Sequence, residues 1–203
     1  FSEELPPMTT DASPQRRSGD FLAHHGVTAA MLESARGLRP FLERHLDGIL
    51  DRFYAGLLAD ATLAGFFTSP GVMQHAREKQ AEHWTRMFSG TLDDAYFASV
   101  RRIAQAHIRI GLPLGRYIAG YAQVVADLHQ VLIRQGASWR VGKQGELAAQ
   151  AAAIDALVLI DINLTTKAYL EQHDSQFDAL QRAIKARFNA LVSDAFGNLA
   201  ASN

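Results

Sequence analysis

Residues 100–121 read VRRIAQAHIRIGLPLGRYIAGY. Val100, Ile103, Ala104, His107 and Ile110 or Gly111 recur at three- and four-residue steps, which places them on one face of a helix. His107 thus lies in the middle of an apolar stripe. Gly111 interrupts the pattern, and Pro113 suits the first turn of a following helix, where its missing N–H needs no partner. That second helix carries Tyr117 and Tyr121 one turn apart. An imidazole on an apolar wall, a tight corner and two returning tyrosines suit the wall of a flat cofactor. On this stretch alone, a core histidine with a hydrogen-bonded partner explains His107 better.

Upstream, Asp93 or Asp94 is a good N-cap for the helix that ends with His107. The preceding helix, residues 72–89, stops at Gly90 and turns Val72, Ala76, Lys79 or Gln80, His83 and Met87 inward, with Trp84 and Phe88 beside them. His75, Lys79 and His83 share one edge at four-residue steps. The lysine between them and the want of a nearby third ligand argue against a metal there. With Glu78 and Glu82 they read as a partly solvated charged edge. Residues 60–67 give a short helical piece ending in Phe66-Phe67, broken by Ser69-Pro70-Gly71. Residues 40–59 form a strongly periodic helix with the stripe Leu42, Leu46, Ile49, Leu50, Phe53, Tyr54, Leu57 and Leu58. Tyr54 therefore points inward, and its hydroxyl needs a partner if buried. Thr28 is the expected N-cap of a helix facing inward through Met31, Leu32 and Ala35. Phe21 and Leu22 start a short helix before it.

Downstream, residues 114–135 carry Ile118, Tyr121, Val125, Leu128 and Leu132 at helical spacing, and a glycine-containing loop covers 136–145. A long helix begins near Glu146 and is apolar nearly all round over 154–164. A helix of that kind must bury more than one face, against a second subunit or as a central core helix. From Gln172 a stripe of Phe177, Leu180, Ile184, Phe188, Leu191 and Ala195 continues with few core-like neighbours. The expected organisation is a disordered arm over 1–19, which holds three of the six prolines and no periodicity, a main domain over 20–172, and an outgoing helix or linker over 173–203 towards an output domain.

The chain has 203 residues, 48% of them apolar and 20% charged, so one domain with a real core is expected. A formal charge of −1 with interspersed signs gives no support for a nucleic-acid or anionic-membrane partner. The absence of cysteine removes disulfides, Cys-ligated zinc and iron–sulfur clusters. No uninterrupted apolar run approaches a membrane span of about 18 residues, and the expected location is cytoplasmic. β-Branched alternation is almost absent. The fold class is all-α.

Seven or eight helices, Phe53-Tyr54, then Gln80-Ala-Glu-His83-Trp84 and Met87-Phe88-Ser-Gly90, then His107-Ile-Arg-Ile-Gly111-Leu112-Pro113 and Tyr117 follow in this order. The order resembles the globin-coupled sensors, which include the heme-based aerotaxis transducers and the globin-coupled cyclases and kinases. The resemblance spans roughly residues 27–167. It implies a globin fold with an extra N-terminal helix and no regular fourth helix, binding heme b through its iron. By this resemblance His107 is the proximal iron ligand, Tyr54 the distal tyrosine that hydrogen-bonds bound oxygen, and Tyr117 a proximal-side tyrosine. Phe53, Phe67, Ile103 and Tyr121 are candidates for the slot, and His83 and Lys79 for the wall around it. The chain departs from the family in two places. Arg116-Tyr117 stands where Trp-Tyr is common, and Lys79 stands where a relative has threonine, so Lys79 could reach a heme propionate, line the pocket with its stem or ligate iron. The implied partners are O2, with CO or NO as alternatives, a second copy of the chain through the last two long helices, and a C-terminal output domain, a chemotaxis transducer first. A non-enzymatic oxygen sensor is thus the leading expectation. The alternatives are a stand-alone globin that binds or detoxifies gas and a cofactor-free helical interaction module. A di-iron bundle needs paired Glu-x-x-His motifs, which the sequence lacks.

Overall fold

The computed structural model describes residues 14–136 and 144–201, with side chains over 18–135 and 144–186. Within them the chain forms eight helices and no strand: α1 (Pro14–His24), α2 (Ala29–Gly37), α3 (Arg39–Ala59), α4 (Ala61–Ala64), α5 (Pro70–Met87), α6 (Asp94–Arg109), α7 (Leu114–Gly136) and α8 (Gln144–Ala201). The boundaries follow local chemistry. Thr28 accepts from the Met31 N–H, Ser69 from Val72, and Asp93 from Tyr96, so each expected breaker or cap satisfies an orphan donor of the helix it opens. α4, capped by Asp60, is a single turn within the short helical piece expected over 60–67.

α1 begins at Pro14, inside the stretch read as a disordered arm, while residues 1–13 lie outside the described residues. Ser18 on α1 donates to Asp94 at 2.6 Å, and Phe21 meets Phe97 edge-on at 5.4 Å, so α1 is fastened to the start of α6. The glycine-containing loop falls mostly on residues 137–143, outside the described residues.

α8 packs on α2, α6 and α7, while α3 crosses α7 and α5. The α3–α7 crossing is close: a Cβ at Gly120 would meet the Phe53 ring at 3.4 Å. Trp84, Met87, Phe88, Tyr96, Leu128, Ile154 and Leu157 fill the centre. Of the α3 stripe, Leu42 to Tyr54 are buried as expected, but Leu58 is exposed at the helix end.

α8 is one unbroken helix of 58 residues, where the sequence suggested a change of character near residue 172. Its first part is a core helix: Ala153, Ile154, Leu157, Asp161 and Thr165 are buried. Every side chain from residue 170 to 186 is exposed. One window within Gln144–Ala186 is long and apolar enough to cross a membrane by composition, although polar residues interrupt it. Its packing on α2, α6 and α7 accounts for part of that apolarity as core, and exposed Leu159 and Leu170 carry some of the rest.

Candidate functional site

His107 sits in the last turn of α6 and is half-buried. Its Nδ1 donates to the Ile103 carbonyl at 2.9 Å. That bond fixes the tautomer and leaves Nε2 with a bare lone pair, for which there is no partner among the described residues. Burial lowers the pKa of the ring, more than the Ile103 carbonyl raises it, and the nearby His83 adds to the lowering. At neutral pH the ring is a neutral imidazole with one free nitrogen, the form a metal binds.

The turn after His107 is as ordered as the helix. Gly111 takes a φ of +74°, the Gly111 N–H bonds to Ile108 O at 3.0 Å, and the Leu112 N–H bonds to the carbonyl of His107 itself at 3.0 Å. This is a Schellman closure, and it needs glycine at the left-handed position. Pro113 stands just before α7, not inside its first turn. Its carbonyl accepts the first helical bonds, from Arg116 and Tyr117.

Tyr54 is buried on α3, edge-on to Phe53 at 5.4 Å and 5.9 Å from the Phe67 ring. Its hydroxyl has no hydrogen-bond partner among the described residues. Burial pushes its pKa up to about 12, so it stays a neutral donor.

Tyr117 packs edge-on against the His107 ring at 5.0 Å. Its hydroxyl is engaged with Thr165 and Tyr121, each at 3.2 Å. Tyr121 in turn donates to Asp161, and Tyr96 donates to the same carboxylate at 2.6 Å. The His83 Nε2 lies 3.3 Å from Asp161, and its Nδ1 is buried without a partner. Asp161 is fully buried. Burial alone would raise its pKa, but the hydrogen bond and charge of His83 and the two tyrosine hydroxyls outweigh burial and hold it below the ordinary carboxylate range. Burial, and then the same carboxylate, raise the pKa values of Tyr96 and Tyr121. Asp161, Thr165 and Tyr96 were not singled out in the sequence. The one signal was an aspartate inside an otherwise apolar helical stretch.

Of the residues expected around a cofactor, His107, Ile103, Tyr117, Tyr121 and His83 are brought into one neighbourhood, and Tyr54, Phe53 and Phe67 into an aromatic cluster that abuts it at Gly120. Lys79 is not brought in. It is exposed, and its ammonium pairs with Glu82 at 2.8 and 3.0 Å, because its position on α5 faces water and a carboxylate three residues on is within reach. His75 is exposed as well, so the His75–Lys79–His83 edge is divided between solvent and core. A groove of about 1070 Å³ beside α3 and α5 is bounded by Arg36, Arg77, Arg86, Asp47 and other charged residues, and by neither His107 nor Tyr54. Its arginines are matched by Glu33, Asp47, Asp51 and Asp93, so it has no unbalanced charge to offer a ligand.

Among solved structures, the globin domain of a Geobacter sulfurreducens globin-coupled sensor superposes with a TM-score of 0.67 at 20% identity, covering 74% of this chain and 96% of that one. The ferric globin domain of E. coli DosC superposes at 0.57 with 16% identity, covering 69% and 90%. At such identities the likeness speaks for the fold alone, which is a globin. In sequence the match is to a family whose cofactor is heme, and it runs over residues 17–175, from α1 into α8; the chain belongs to the Protoglobin family.

Proposed function

We propose that this chain is a heme-based oxygen sensor domain, not an enzyme, with His107 as the axial iron ligand. The observation that carries the reading is the state of the His107 ring: neutral, oriented by Ile103, and bare at Nε2. The surrounding residues fit the group. An unpartnered Tyr54 hydroxyl, an aromatic cluster of Phe53 and Phe67, and an orphaned His83 Nδ1 are what a planar, apolar cofactor with a polar ligand would use. When bound, heme supplies an iron that takes up a diatomic gas. The Tyr54 hydroxyl is free to donate a hydrogen bond to a polar ligand such as oxygen, worth on the order of 1–2 kcal/mol or about tenfold in affinity. CO, less polar, gains less from it, and this separates the two gases.

For output, the reading is a dimer formed through α7 and α8, with α8 leading beyond residue 172 to a signalling domain of the chemotaxis-transducer kind. Exposed Ile118 and Ile133 on α7 and Leu159 and Leu170 on α8 support it, as do the exposed Phe177, Leu180 and Ile184 at helical spacing. A cytoplasmic location follows from this reading.

Absorption spectra of the purified protein, reduced and then exposed to oxygen or CO, are the test. An intense Soret band that shifts with each gas is expected, and His107→Ala should lose heme. A protein that stays colourless with added hemin, or normal heme content in His107→Ala, would remove the axial assignment. Light scattering should give a dimer. A monomer at high concentration would remove the dimeric output path.

A further inference from the structure

α8 meets the wall around His107 through three polar side chains spaced four residues apart, Asp161, Thr165 and Tyr169. Such spacing puts them on one face of the helix, stacked along its axis. Each holds a different part of that wall. Asp161 accepts from Tyr121 and Tyr96. Thr165, fully buried, bonds the Tyr117 hydroxyl at 3.2 Å. Tyr169 donates from its hydroxyl to the Leu112 carbonyl at 2.9 Å and lies 6.4 Å from the Tyr117 ring. Leu112 is the residue whose own N–H closes on the His107 carbonyl. A continuous path of hydrogen bonds therefore runs from α8 through Leu112 to the backbone of His107. A second path runs from α8 through the Tyr117 hydroxyl to the ring that packs on the imidazole.

We propose that Asp161, Thr165 and Tyr169 are positioning residues for the proximal side: from α8, they set the orientation of the His107 imidazole through Tyr117 and the Gly111–Leu112 turn. The alternative use of these groups is to fasten helices together. Fastening alone does not call for one contact on the side chain that packs against the imidazole and another on the turn bonded to its backbone. A buried carboxylate in an apolar helix is also costly unless its donors are complete, and here they come from α5, α6 and α7, the helices around the candidate site. By linkage, a helix that orients the imidazole is itself biased by whatever reorients the imidazole.

This inference rests on the reading of His107 as axial ligand, and resonance Raman spectroscopy of the reduced protein separates the two. The wild type should show an iron–histidine stretching band. Thr165→Val and Tyr169→Phe, which keep volume and apolar packing, should each shift or broaden that band, and Thr165→Ser should restore the wild-type position. Hemin should dissociate roughly tenfold faster from the two altered proteins, the size typical for loss of an outer-shell partner. A wild type without the band overturns the axial reading and the ladder together. A wild-type band that neither Thr165→Val nor Tyr169→Phe moves overturns the ladder and leaves the axial reading standing. Circular dichroism melting of the same proteins identifies unfolding. If a variant is destabilised while its band is unmoved, the residue fastens helices and the proposal fails.

Discussion

Tyr54 and Tyr117 are buried to the same degree, each 7% exposed, yet their hydroxyls have opposite circumstances. The Tyr117 hydroxyl is bonded twice, to Thr165 and Tyr121, and through the latter it joins a chain that ends on Asp161. The Tyr54 hydroxyl has no partner among the described residues. Its oxygen is not sealed from solvent, so it needs no protein partner and is open to a ligand. Around Tyr117 the polar groups form a finished network, and around Tyr54 one donor is left open. In a gas sensor, the first would hold the ligand-bearing helix in place and the second would interrogate what binds.

That contrast is easiest to break at Asp161. Replacing it by alanine leaves Tyr96, Tyr121 and His83 without their common acceptor and should cost about 3–5 kcal/mol in urea unfolding, as the loss of one partner of a buried charged cluster does. Unchanged stability would mean that the network is decorative. The loss should also depend on pH. The Asp161 pKa is lower in the folded chain than in the unfolded one, so its stabilisation is complete above the unfolded value of about 3.9 and is lost as pH falls through the depressed folded value. The gap between wild type and Asp161→Ala should therefore narrow below about pH 4, and a gap that persists undiminished would show that charge is not involved.

Tyr117→Phe comes next. It strips the Thr165 and Tyr121 hydroxyls of a partner and should destabilise by about 1–3 kcal/mol. Tyr54→Phe should change stability least, by less than about 0.5 kcal/mol, because no bond is removed. It should nevertheless speed oxygen release by about tenfold while leaving CO nearly unchanged. Stopped-flow ligand release and urea melts on the two phenylalanine variants give a direct crossing of effects. Equal destabilisation by both would erase the distinction, and equal effects of Tyr54→Phe on both gases would remove the hydroxyl as discriminator.

Local pattern carried much of this into the sequence. The periodic stripe around Tyr54, the caps at Thr28 and at Asp93 or Asp94, the break at Ser69-Pro70-Gly71 and the His107–Gly111–Pro113 corner are short-range features, and each can be read without knowing what lies opposite. The partners of Asp161 lie 40 and 65 residues away along the chain, and nothing in an apolar stretch announces them. Thr165 and Tyr169 were equally hidden, because a Thr-Thr-Lys-Ala-Tyr run reads as a helix leaving the core. The placement of Lys79 was hidden for the converse reason. A position inferred by resemblance carries no information on whether a carboxylate one turn away will hold the side chain at the surface, as Glu82 does.

α8 passes from core to solvent without a break, and this gives it a property that shorter helices lack. At 1.5 Å per residue its 58 residues span about 87 Å, a rod stiff to twisting as well as bending. The Asp161–Thr165–Tyr169 face fixes its azimuth at one end, so the exposed Phe177, Leu180 and Ile184 inherit a defined compass direction. Inserting one residue after Leu170 would swing everything beyond by about 100°, whereas seven would return it to within about 20° of its starting bearing. Any readout attached to this rod is therefore phase-sensitive: tolerant of length in steps of seven and intolerant of a single residue.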